Sequence, residues 1–171
     1  MGLIAIDPGV HSMAIAVFDV NTLIDAWNET VSGYFDPGSC PVQGWGELPL
    51  RLINRTQRAG MSSRIIGERQ VVYPGARGLK TNPNDLLDLA MCAGAFFGAL
   101  CVEMRSNLRL VEPAEWKAQV PKDICRRRIE AMLSPAEKSA IKKGGEMHNV
   151  YDAIGIGLFG LGRAEEGMVK P

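Results

Sequence analysis

The sequence predicts an α/β domain, a five-stranded mixed sheet flanked by helices, in a single domain over residues 1–171. Three observations predict it. Short apolar runs separated by turn residues fill the first thirty positions, with the period of strands. From residue 47 onward, helical and strand patterns alternate. At 171 residues, with 46% hydrophobic and 22% charged, the chain is large and apolar enough for one substantial core.

Residues 3–7, 12–19 and 22–30 read as three strands, with Asp19-Val20-Asn21 turning between the second and third. Residues 33–46 are rich in Gly and Pro and read as a loop. A helix is expected over 47–60, stopped by Gly60, with Arg51, Arg55 and Arg58 on one side. Residues 63–72 read as a fourth strand and 74–82 as a loop. The helix from about Asn84 to Glu103 is apolar nearly all round and is expected to be central, packed on the sheet. Residues 108–111 give the fifth strand, 113–117 a helical turn and 122–133 a basic helix. Ser134, with Glu137 three residues on, reads as the cap of a short helix. Gly144-Gly145 breaks the chain before a last helix over about 146–163. Gly155, Gly157, Gly160 and Gly162 in that helix cost up to about 1 kcal/mol each relative to Ala. They make sense where it lies close against the sheet.

No apolar stretch reads as the roughly 18 to 20 residues of a membrane span. No secretory signal is expected, because the chain enters a strand at once. Cys40, Cys92, Cys101 and Cys125 form no Cys-x-x-Cys pair, which argues against a zinc site or a disulfide framework and suits a reducing cytoplasm. Net charge is zero but unevenly distributed. Residues 1–50 hold six acids and no Lys or Arg, whereas residues 51–80 hold seven basic residues and one acid. Residues 114–143 hold eight basic residues against four acids. A basic surface beside an acidic pocket suits a polyanion brought to a metal.

Asp7 is the most informative position. It ends the run Leu3-Ile4-Ala5-Ile6 and precedes Pro8-Gly9. An acid at the end of a buried strand is costly unless something pairs with it, and a metal ion turns that cost to use. Glu68 and Asp152 sit in equally apolar settings far along the chain. Three such acids on separate elements point to one site assembled by folding.

These segments resemble the RuvC-type Holliday junction resolvases of the RNase H-like superfamily. Leu3 to Gly9 resembles the family's first motif, Ile65 to Gln70 the strand with its second acid, and His148 to Ala153 its final helix motif. Trp116-Lys117 and Pro121-Lys122 look like its basic positions near the scissile phosphate, in phage-associated members especially. The resemblance implies an RNase H-like three-layer fold and a crossover junction endodeoxyribonuclease. It implies Asp7 bridging two Mg²⁺ ions, with Mn²⁺ as an alternative, and Glu68 and Asp152 each completing one side. Lys117 and Lys122 would hold the phosphate or offset its charge. The family has an acid or His three residues before the last Asp, where this chain has Asn149. His148, four residues before Asp152, is the better ligand or base and the preferred fourth site residue.

The resemblance further implies a homodimer acting on branched DNA, four-way junctions above all, in a bacterial or phage-infected cytoplasm. Tyr73, Arg77 and Lys80, after the Glu68 strand, and Arg126 and Arg127, in the basic helix, are expected to contact DNA. Tyr73 reads equally as an anchored loop tyrosine. Two rivals keep the fold, a broader flap or fork nuclease and a non-catalytic DNA-binding relative. A third, the nucleotide-binding domains of actins and sugar kinases, needs two domains and a second phosphate loop, which 171 residues do not supply.

Overall fold

A computed structural model describes residues 2–9, 12–30, 49, 52–54, 63–69, 83–118 and 120–164. Five strands form one sheet: β1 (Gly2–Pro8), β2 (Ser12–Asp19), β3 (Thr22–Thr30), β4 (Ser63–Glu68) and β5 (Leu108–Val111). Their order is β3-β2-β1-β4-β5. The first three pair antiparallel, while β4 lies parallel to both β1 and β5. The described helices are α1 (Pro83–Met104), α2 (Pro113–Trp116), α3 (Lys122–Met132), α4 (Pro135–Ser139) and α5 (Met147–Gly160). The mixed five-stranded sheet is the one the sequence predicts.

β1 is central, and every one of its residues is buried. Its side chains alternate between two cores. Ile4 and Ile6 join Cys92, Ala93, Phe96, Phe97 and Leu100 of α1 on one face. Leu3 and Ala5 join α5 and Trp116 on the other. This gives three layers, helix, sheet and helix. In β4, Ile65 faces α1, while Ile66 faces α5. The same alternation sends Asp7 and Glu68 toward the α5 face.

The central helix is α5 and not, as the sequence suggested, the long apolar α1. Val150 to Leu158 of α5 are buried without a break. Its glycines let it approach closely. A Cβ at Gly155 would lie 2.5 Å from Trp116 Cζ3, and one at Gly157 would collide with Phe18. Gly162 lies beyond the helix in a left-handed turn, φ 69°, so only three of the four glycines serve the packing. α1 buries one side and exposes Leu87, Met91 and Val102 on others. Its Leu87–Met104 window, mean hydropathy 1.6, is long and apolar enough to cross a membrane by length and composition, and 28% of it is buried. That corrects the expectation that no such stretch exists. Asp88 and Glu103 interrupt the run without lowering its mean enough.

Among the described residues β4 runs from Ser63 to Glu68, which faces Val111 at the end of β5, and residues 70–72 of the expected strand lie outside the described residues. Next to it, Arg69 N–H donates to the Val111 carbonyl at 2.8 Å. Of the helix expected over 47–60, residues 49 and 52–54 are described and helical, with Leu52 and Ile53 in the α1-side core. The predicted loops at 33–46 and 74–82 lie outside the described residues, as do Arg51, Arg55, Arg58, Tyr73, Arg77 and Lys80.

Candidate active site

Asp7 and Glu68 stand at the same end of two adjacent parallel strands, since Ile6 pairs with Gly67. α5 runs antiparallel to them. A Cβ at Gly160 would touch Leu3 and Ile66 near the far end of the strands. Eight residues of helix span about 12 Å, and four residues of strand about 13 Å. Asp152 on α5 is therefore level with Asp7 on β1. Sequence distance is removed by this match of rises, and three acids 61 and 84 residues apart come within range of one another's charge.

Asp7 and Asp152 are buried, each 9% exposed, and Glu68 is half-buried. Burial pushes the Asp7 carboxyl well above the ordinary range, and repulsion from Glu68 and Asp152 adds to it, against weaker attraction from Lys117 and Lys122. Burial also raises Glu68, which Lys117 and a hydrogen bond from Trp116 partly offset. Among the described residues, Asp7 accepts no hydrogen bond and has no ion-pair partner closer than these long-range charges.

Two neighbours on one short element hold the other acids. Pro113 starts α2, and a capping box between Glu112 and Glu115 fixes its entry. Trp116, fully buried, donates its Nε1–H to Glu68 Oε2 at 3.0 Å. Lys117, the C-cap, donates from Nζ to Asp152 Oδ2 at 2.9 Å and lies 3.4 Å from Glu68 Oε2. Burial works against the ammonium, but Glu68 and Asp152 outweigh it and hold its pKa above the ordinary lysine value. The indole contact is the site feature that sequence reasoning missed. Its signal was present, a Trp next to the one Lys that follows a Pro-started turn.

His148 lies four residues before Asp152, about 6 Å further along α5. Its side chain is 47% exposed, and Nε2 lies 3.9 Å from Glu146 Oε2. Asn149 also turns to Glu146, donating Nδ2–H at 2.7 Å. Both side chains expected near the acids, His148 and Asn149, face Glu146 in this structure. Lys122 is exposed at the start of α3, close enough for its charge to act on Asp7. Arg126 pairs with Glu130 and lies 4.7 Å over the Tyr151 ring, and Arg127 pairs with Asp123. Both pairs are exposed and one turn apart, so the predicted DNA-contacting arginines are partly neutralised on their own helix.

Among the described residues, no three Asp, Glu, His or Cys side chains stand close enough to form a ready-made metal shell. The donor chemistry nevertheless suits a hard divalent ion. The donors are all oxygens, they carry excess negative charge, and Asp7 is buried with no ion pair among the described residues.

No protein-family model matches the chain, and no curated protein sequence matches it. Solved structures do. The Thermus thermophilus RuvC structure superposes with a TM-score of 0.63 at 16% identity, covering 97% of this chain and 99% of that one. T. thermophilus RuvC in complex with a Holliday junction substrate gives 0.58 at 15% identity, with the same coverage of each chain. The yeast mitochondrial Holliday junction resolvase Ydc2 gives 0.50 at 13% identity, covering 91% of this chain and 75% of that one. Over nearly its whole length, the chain has the α/β fold of T. thermophilus RuvC.

Proposed function

We propose that this protein is a metal-dependent endonuclease that hydrolyses phosphodiesters in branched DNA, with four-way junctions as its principal substrate. The observation that carries this reading is Asp7, a buried carboxylate with no partner of its own, facing Glu68 and Asp152. A fold gains nothing from such a group unless a cation visits it. The likeness to RuvC bound to a junction supports the choice of DNA.

Asp7, Glu68 and Asp152 would hold a divalent ion, Mg²⁺ or Mn²⁺. Bound there, the ion supplies acidity to an attacking water and counter-charge to the leaving oxygen. Trp116 fixes the orientation of Glu68, and Lys117 that of Asp152. Lys122, exposed beside the acids, attracts the incoming phosphate. The exposed apolar side of α1, with Leu87, Met91 and Val102, supports a two-fold dimer in which each subunit cuts one strand.

The test is cleavage of a labelled four-way junction beside flap, fork and duplex controls, with Mg²⁺ or Mn²⁺. Paired symmetric nicks on the junction, absent from Asp7→Asn, are expected. Equal cutting of flaps and forks moves the reading to a general branch nuclease. Tight binding without metal-dependent cutting contradicts catalysis altogether.

A further inference from the structure

The end of the sheet opposite the acids carries a cavity of about 330 Å³, where β4 and β5 begin and α5 ends. Pockets for small ligands span about 300–1,000 Å³. Leu3 and Arg64 line it from facing positions of β1 and β4, and Ile66 and Arg109 from facing positions of β4 and β5. Residues paired in register share a face of the sheet. Here it is the face that α5 covers, since Leu3 and Ile66 pack in that core. Both are buried and give the cavity an apolar floor, and Gly160 brings the end of α5 down on them. Four residues of strand, about 13 Å, separate Leu3 from Asp7 and Arg64 from Glu68.

The charge of this cavity is the reverse of that at the acids. Arg64, Arg105 and Arg109 line it, and among the described residues no Asp or Glu does. All three are exposed, and among the described residues none of them forms an ion pair. Arg69, Arg126, Arg127 and Arg163, by contrast, each pair with a carboxylate. The Arg109 guanidinium is held over the Phe159 ring, 5.3 Å from its centroid. Arg105 follows the last residue of α1 with a left-handed φ of 48°. Glycine is the residue that fits such a position most easily, so an arginine there keeps a charged side chain at the cavity against the backbone's preference. The C-terminal ends of α1 and α5 bring about half a negative charge each, which three guanidinium charges exceed. A concave wall of one sign concentrates the field inside it.

We infer that this cavity binds a nucleoside phosphate, free or at the end of a strand. Its ligand has to bring several negative charges into a small volume beside an apolar floor. A phosphate monoester carries about −1.5 to −2 near pH 7 and accepts paired hydrogen bonds from the planar guanidinium. The nucleoside lies against Leu3 and Ile66. A single carboxylate supplies only one charge, and the backbone of a duplex would leave the apolar floor uncovered. The site uses none of the three acids and stands whether or not they cut DNA.

The test is isothermal titration calorimetry with ADP as the probe, in EDTA so that no divalent ion joins the nucleotide to the acids. It compares the parent, Arg105→Gly, Arg64→Gln and, as a control on α3, Arg127→Gln. The parent and the control are expected to bind one ADP per chain, and Arg105→Gly and Arg64→Gln to bind it about tenfold more weakly. Arg105→Gly should melt no lower than the parent, because glycine is easier at that φ, so its weaker binding is not a loss of fold. Adenosine should bind about 10²-fold more weakly than ADP. A 5′-phosphorylated tetranucleotide that binds as tightly as ADP identifies strand ends as the source of the ligand, and one that binds far more weakly identifies the free nucleotide. No ADP bound by the parent, equal binding by all the proteins, or inorganic phosphate held as tightly as ADP would overturn the inference. None of these results touches the reading of the acids as a nuclease site.

Discussion

Two buried carboxylate sites among the described residues are built in opposite ways. Glu137, at the start of α4, is fully satisfied. Arg163 bonds both its oxygens, and the backbone N–H groups of Leu23 and Ser134 donate to it at 3.0 and 2.9 Å. The Arg163 guanidinium, helped by those N–H groups against burial, holds its carboxyl down at about 2. Asp7 has none of this, and burial holds its carboxyl up. Both acids are buried in the same α5-side layer of the protein. One closes the turn between β2 and β3 against the end of α5, through the Arg163 bond to the Asn21 carbonyl. The other, among the described residues, has only the more distant charges of Lys117 and Lys122. A satisfied buried acid is architecture, and an unsatisfied one marks a site.

Substitutions should separate the two sites cleanly. The largest effect is on activity. Asp7→Asn is expected to lower junction cleavage by at least about 10²-fold, measured in single-turnover assays. The same change should stabilise the fold. A raised carboxyl favours folding at low pH and loses that contribution as pH rises through its raised value, so the amide removes a penalty at neutral pH. Its Tm at pH 7 without divalent ion should rise by roughly 2–4 °C for each kcal/mol regained.

Glu137→Gln should do the reverse. Breaking this buried pair is expected to cost about 3–5 kcal/mol, read as a lower urea midpoint, with divalent-ion binding unchanged. Its pH dependence has the opposite sign. A depressed carboxyl stabilises above the ordinary glutamate range and loses that contribution as pH falls toward 2. The parent should therefore lose stability between about pH 5 and 2 more steeply than Glu137→Gln does.

Trp116→Phe keeps the buried ring and deletes the donor to Glu68. A loss of about 1–3 kcal/mol is expected, together with weaker Mg²⁺ binding by calorimetry, since Glu68 is no longer oriented. The smallest change is Arg127→Ala. Its partner Asp123 is exposed with it, so stability should stay within about 0.5 kcal/mol, and junction affinity should fall only slightly.

The sheet was legible because its strands are short, apolar and punctuated by Pro, Gly and Asn. The α5 glycines announced a close approach, and Gly155 and Gly157 now have named neighbours. The three acids were legible from their apolar settings and their order. The surroundings of residues 148 and 149 were not. Helical spacing puts both near Asp152, but it does not say that both side chains face Glu146. The burial of α1 was also misread, since composition cannot tell an all-apolar core helix from one with an apolar exposed face. Lys117 was found from the sequence as a phosphate contact. Its engagement with Glu68 and Asp152 required the register between β4, α2 and α5, which no local pattern encodes.

The Asp7 site is unsatisfied until a cation enters. Thermal melting of the parent and Asp7→Asn, with and without millimolar Mg²⁺ at pH 8, tests this most directly. The parent is expected to gain stability with Mg²⁺ as binding to the folded state requires, while Asp7→Asn, already more stable without the ion, gains none. Equal melting of the parent with and without Mg²⁺, or an equal Mg²⁺ gain in both proteins, would contradict it.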